Sequence, residues 1–177
     1  MRLAAALDAS SIPYAIGGAL AFGLWGDPRG THDVDINLFV DHAGLDRALD
    51  VLQSAGVDID RGAATRADLA GDMIVGWYSG MRVDLFTPSV PFSWEAMKSV
   101  VRVKGPMGEA AYLSAEAIAI FKLLFFRPKD LLDIEKLMVV QGADLDVAYI
   151  RRWIVDMMGE DDERTKALDE LIKGAAD

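Results

Sequence analysis

The chain has no cysteine and only two histidines, His32 and His42, among its 177 residues. The first absence removes disulfides, thiolate nucleophiles and every cysteine-bearing zinc or redox site. The second disfavours a histidine-rich metal centre or a serine–histidine–aspartate triad, since each depends on imidazole. Basic charge is also short: 18 Lys and Arg stand against 28 Asp and Glu, a net charge of −10. A general nucleic-acid-binding surface needs surplus cations to meet phosphates, and the chain as a whole has none. The deficit is uneven. Residues 1–88 carry 6 basic and 12 acidic side chains, residues 89–177 carry 12 and 16, so most groups able to meet an anion lie in the second half. Residues 9–26 lack charge, but Ser10, Ser11, Pro13 and four glycines interrupt them. That run reads as strand, turn and helix, not as a membrane span. Asp8 breaks the preceding apolar stretch too early for a signal peptide. A cytoplasmic protein without membrane association is the expectation.

What is present is a core. The chain is 52% hydrophobic, enough for one domain or one domain with an appendage. It has no internal repeat and no low-complexity linker. The spacing predicts a helix over 2–8, a strand in "PYAIG", a turn at Gly17-Gly18 and a helix from "ALAFGLW". A loop with Gly26, Pro28 and Gly30 follows, then a strand in "DVDINLFV". Leu45, Leu49 and Leu52 recur at helical spacing. "DMIVGWYS" and "RVDLFT" are strands joined by a tight turn at Ser79-Gly80. "VVRVKGPMGEAAYLS" reads as a small hairpin, and Ser114 starts an apolar helix. Pro128 opens another that Gly142 stops, and two more occupy 145–158 and 160–174. The expected division is an α/β core over 1–88, then the hairpin and a helical subdomain over 89–177.

Asp33 and Asp35 stand out in this layout. Residues two apart on a strand project from one face, so the two carboxylates are expected roughly 5–7 Å apart. At an effective dielectric of about 20 such a pair repels by roughly 3 kcal/mol. Without help one of them would take up a proton. Mg²⁺, which takes carboxylate oxygens, water and substrate phosphates, removes the difficulty. Two other Asp-x-Asp pairs exist, 58/60 and 144/146, but they sit among turn residues and read as solvated or capping carboxylates. The first pair also follows the Gly17-Gly18 turn, whose helix N-terminus favours an anion such as a triphosphate. Asp84, in "RVDLF", is a third strand carboxylate. If its strand neighbours that of Asp33 and Asp35, the three converge, and Asp84 could hold metal and act as general base. The alternative is an exposed strand residue or an ion pair with Arg82 or Arg29.

A glycine pair, a helix, the loop "GDPRGTHDVDI" and a later strand aspartate together resemble the minimal nucleotidyltransferase superfamily, relatives of DNA polymerase β. Within it the chain is most similar to AbiEii-type and MenT-like toxins, whose loop reads Arg-x-Thr/Ser-x-Asp-h-Asp. The likeness covers about residues 12–40, 80–87 and 114–140, the last through "FKLLFFRPKDLLDIEKL". It implies an α+β nucleotidyltransferase fold, a mixed sheet flanked by helices with a C-terminal helical subdomain. It also implies transfer of a nucleoside monophosphate from an NTP to an acceptor hydroxyl, with two Mg²⁺ ions or Mn²⁺ in their place. Asp33, Asp35 and Asp84 then match the metal and catalytic carboxylates, and Gly17 and Gly18 match the glycine pair. Arg29, Thr31 and Lys122 become candidate nucleotide-binding groups. Arg127, Lys129 and Asp130 are weaker ones, equally readable as a solvated helix start. Arg29 could instead pair with Asp33, Thr31 could cap the strand, and Lys122 could extend its amine to solvent. The acceptor is expected to be tRNA, in a toxin with an antitoxin partner, or a small molecule such as an aminoglycoside or lincosamide. A catalytically inactive binding domain is the third reading.

Overall fold

A computed structural model describes residues 2–106 and 108–176. It divides into two compact units, one formed by the chain up to Leu20 with Gly30–Leu113, the other by Ala21–Arg29 with the chain from Ser114.

The first unit is built on a mixed seven-stranded sheet. Its strands are β1 (Tyr14–Ile16), β2 (Asp33–Leu38), β3 (Asp58–Ile59), β4 (Ile74–Tyr78), β5 (Met81–Phe86), β6 (Val101–Gly105) and β7 (Gly108–Tyr112). Their spatial order is β3-β4-β5-β2-β1-β7-β6. β4 and β5 form the expected hairpin, and Ser79 and Gly80 both take positive φ, 51° and 81°. That is the turn geometry whose twist suits paired strands. β1 runs antiparallel to β2, with Ile16 opposite Ile36. β2 runs parallel to β5, which puts Val34 beside Val83 and Ile36 beside Leu85. Those residues join Leu38 and Ile74 in a core covered by α1 (Arg2–Ala9) and α3 (His42–Ser54), which contribute Leu3, Leu7, Leu45, Leu49 and Leu52. Alternation then sends Asp33, Asp35 and Asp84 to the opposite face of the sheet.

Three features depart from expectation. A helix, α4 (Arg61–Ala70), occupies a stretch for which the sequence predicts no element. It buries only Ala64, so its sequence carries no apolar stripe to announce it. Asp60 caps it, accepting from the Ala63 N–H at 2.9 Å. A second short helix, α5 (Pro91–Lys98), starts on a proline, which suits the first helical position. Finally, the β6–β7 hairpin joins the sheet instead of accompanying the helices. Ile16 pairs with Tyr112 in parallel, and the Leu113 N–H donates to the Ile16 carbonyl at 3.0 Å. An isolated two-stranded hairpin is marginal, and β1 offers an edge that completes it. The first compact unit includes the chain to Leu113, and Ala21–Arg29 groups with the second.

The second unit contains α6 (Ala115–Phe125), α7 (Pro128–Gln141), α8 (Val147–Met158) and α9 (Glu163–Ala176). The helix α2 (Gly18–Trp25) begins in the first unit and ends in the second. Ser114 caps α6 by accepting from the Ala117 N–H, and Asp146 caps α8 by accepting from the Tyr149 N–H. Ile118, Ile120, Leu123, Ile134, Leu137, Ile150 and Ile154 are buried here. No described helix is long and apolar enough to cross a membrane.

Candidate active site

The site begins with register. β2 and β5 are parallel neighbours, Asp35 lies directly beside Asp84, and Asp33 lies beside Arg82. Adjacent registered residues share a face, so Asp33, Asp35, Arg82 and Asp84 form the four corners of one patch. β4 extends it, with Trp77 beside Arg82 and Val75 beside Asp84. Trp77 is half exposed on this face.

The glycine turn is bound to the same patch. The Gly17 N–H donates to the Asp35 carbonyl at 2.9 Å. Gly18 has φ +52°, and a Cβ there would stand 1.7 Å from Asp35 Oδ2. Only glycine fits both conditions. The start of α2 is thus pressed against the Asp35 carboxylate.

Asp33, Arg82 and Asp84 have definite partners. Thr31 donates its hydroxyl to the Asp33 carboxylate, which fixes the strand entry. Arg82 Nε donates to Asp84 Oδ1 at 2.7 Å, and Asp84 is buried to 6% exposure. The Arg82 guanidinium is held above its ordinary pKa, first by that hydrogen bond, with Asp33 and Asp35 adding smaller attractions. The donor set, three carboxylates on one face with a glycine cradle beside Asp35, suits a hard divalent cation. As they stand, no three such groups among the described residues are gathered to hold one ion. Arg82 offsets the charge of Asp84, and the Thr31 hydroxyl solvates that of Asp33.

The remaining candidates lie in the second unit. Lys122 is buried and donates to Asp133 at 2.6 Å and to Asp130 at 3.2 Å. Its ammonium also stands 5.4 Å from the centre of the Phe22 ring. Arg29 reaches Asp133 at 3.4 Å. Arg127 Nε donates to Asp130 at 2.6 Å, and the Arg127 backbone N–H does so at 3.2 Å, closing the start of α7. Lys129 is exposed. Burial pushes the Asp130 carboxyl up, but Arg127 and Lys122 together outweigh it and leave it below the ordinary value. Lys122 thus neither extends to solvent nor lacks an anion: Asp130 and Asp133 satisfy it. The Arg82–Asp84 pair is the ion-pair alternative that the sequence left open for Asp84, and Asp133, expected at a solvated helix start, is buried against Lys122 instead. The Arg-x-Asp spacing on one strand face was the available signal for the first, and the i,i+3 spacing of Asp130 and Asp133 for the second.

No protein-family model and no curated protein matches the chain. Solved structures do. ANT(2″)-Ia in complex with adenylyl-2″-tobramycin matches over 88% of this chain and 94% of its own, at 16% identity and a TM-score of 0.62. A nucleotidyltransferase candidate from Helicobacter pylori matches over 99% of this chain and 89% of its own, at 14% identity and a TM-score of 0.53. Another, from Thermotoga maritima, matches over 78% and 89%, at 16% identity and a TM-score of 0.52. This α+β chain, with its mixed sheet flanked by helices, therefore has the nucleotidyltransferase fold.

Proposed function

We propose that the protein is a Mg²⁺-dependent nucleotidyltransferase, moving a nucleoside monophosphate from an NTP to an acceptor hydroxyl with release of pyrophosphate. The observation that carries this reading is the register of Asp35 beside Asp84, which sets three strand carboxylates on one face of this fold. Asp33, Asp35 and Asp84 would hold the metal, which when bound offsets phosphate charge. Asp84 also takes the proton of the acceptor hydroxyl as general base. Gly17 has already given its N–H to Asp35, so the glycine pair serves mainly to allow close approach. The next N–H groups, in the first turn of α2, have no acceptor within their own helix and suit a phosphate. Thr31 holds Asp33 at a fixed angle. Lys122, Arg29 and Arg127, in the second unit, each hold a carboxylate of that unit.

The acceptor reading follows the sequence block "GDPRGTHDVDI": a toxin-like enzyme of AbiEii or MenT type acting on tRNA, with an antitoxin as partner. A small-molecule acceptor is the second reading. Its support is the net charge of −10, which draws in cationic compounds such as aminoglycosides. A degenerate binding domain is disfavoured by the intact set of three aspartates. One assay separates them: each α-labelled NTP with Mg²⁺ and either total tRNA or a panel of aminoglycosides and lincosamides. Label on tRNA supports the first reading and label on a drug the second. Label on neither, with either Mg²⁺ or Mn²⁺, overturns the enzymatic reading.

A further inference from the structure

We propose that Arg82 is a resident counter-ion of the carboxylate patch, one that a divalent cation must displace from Asp84 in order to bind. The proposal rests on the metal-dependent reading above and adds a residue to it. Arg82 and Asp84 are two apart on β5 and therefore share a face. Arg82 lies beside Asp33 in the next strand, and Asp84 lies beside Asp35. A single guanidinium is thus set among three carboxylates and hydrogen-bonded to the most buried of them at 2.7 Å. The Arg82 side chain is 41% exposed and that of Asp84 8%, so the cation has room to leave while the anion does not.

The ion pair has two effects. It keeps three like charges tolerable on one face before substrate arrives. It also weakens metal binding, because any cation reaching Asp84 must first replace a charge-assisted hydrogen bond. Metal then binds best when a nucleotide contributes its own phosphate oxygens, which couples the two ligands. The freed guanidinium stays beside Trp77 and Asp33, on the same face.

The test is metal binding without turnover. Mn²⁺ affinity is measured by calorimetry, in the absence of nucleotide, for the wild type, Arg82→Met and Arg82→Lys. Arg82→Met should bind Mn²⁺ about tenfold more tightly, the order expected when one charged competitor is removed. Arg82→Lys, which keeps a cation in place, should stay near the wild type. The Arg82→Met protein should also unfold at a lower temperature without metal and show the larger stabilisation when Mn²⁺ is added. A second measurement needs no variant. Solvent exchange of the Arg82 Nε–H, slow while it donates to Asp84, should accelerate when Mg²⁺ is added to the wild type. Equal or weaker Mn²⁺ affinity in Arg82→Met, or unchanged exchange in a wild type that does bind Mg²⁺, overturns the role of Arg82 and leaves the metal site standing. Absence of Mn²⁺ binding by every form, with and without NTP, overturns both.

Discussion

At the scale of single residues the tightest constraint is Gly18. Its φ of +52° lies in the left-handed region, and the space a side chain would need holds Asp35 Oδ2. Gly18→Ala therefore meets backbone strain of about 1 kcal/mol and also pushes the Asp35 carboxylate aside. The expected outcome is a Mg²⁺–NTP affinity at least about tenfold weaker by calorimetry, in a protein that still folds by circular dichroism. Asp33→Asn and Asp35→Asn should abolish nucleotide-dependent Mg²⁺ binding in the same assay. Unchanged affinity in both would remove the pair from the site. Asp84→Ala should lower the rate of transfer by about 10²–10⁴-fold while changing NTP affinity far less, as loss of a general base does. These residues were legible because strand alternation is strict: two aspartates separated by one residue can point only one way together. The close contact of Gly18 with Asp35 was not legible, because it depends on how two segments separated by a loop approach each other.

At the scale of elements, α6 and α7 are joined by a buried charge cluster, Lys122 with Asp130 and Asp133. Residues 117–126 contain no carboxylate, so its own helix offers the lysine no partner there. Its partners come 8 and 11 residues later, after Phe126 reverses the chain with φ 54°. Lys122→Met leaves two buried carboxylates without their ammonium. The expected cost is about 3–5 kcal/mol of stability, seen as an earlier denaturant midpoint with an unchanged slope. A variant as stable as the wild type would show that the cluster contributes nothing to the unit. Asp130 adds a pH dependence. Its folded pKa is lowered, so its stabilisation is present above the unfolded value of about 3.8 and fades as pH falls through the folded one. Asp130→Asn should be less stable than the wild type at pH 7, and the gap should start to narrow below about pH 4 and close as pH falls through the folded value. A gap that stays constant with pH would mean that the Asp130 charge is not what holds α7 to α6.

At the scale of the whole chain, most elements follow from period and punctuation. Gly and Pro mark the ends of β1, α2 and α7, and apolar spacing marks α3 and α6. What escaped was α4, whose one buried side chain leaves no periodic signal, and the β6–β7 hairpin, whose place depends on an edge supplied by β1. Charge shows the same contrast. The net value of −10 is read directly, but the fate of the 18 cations is not. Arg61 is taken by Asp46 and Asp50, Arg102 by Asp8 and Glu109, and Arg151 by Glu160 and Asp169. Lys98 and Lys173 are held by acidic groups three residues away. Cations compensated in this way attract a polyanion weakly, so the long-range field follows the net charge. The sign of the salt effect then depends on the acceptor. Raising ionic strength from about 0.01 to 0.15 M shortens the screening length from about 30 to 8 Å. Transfer to tRNA should gain in kcat/KM over that range, because repulsion between two negative partners is relieved. Transfer to a cationic aminoglycoside should lose, because attraction is screened. A steep fall in kcat/KM for tRNA with added salt would instead reveal a cationic surface that the paired side chains do not account for, or one supplied by a bound partner.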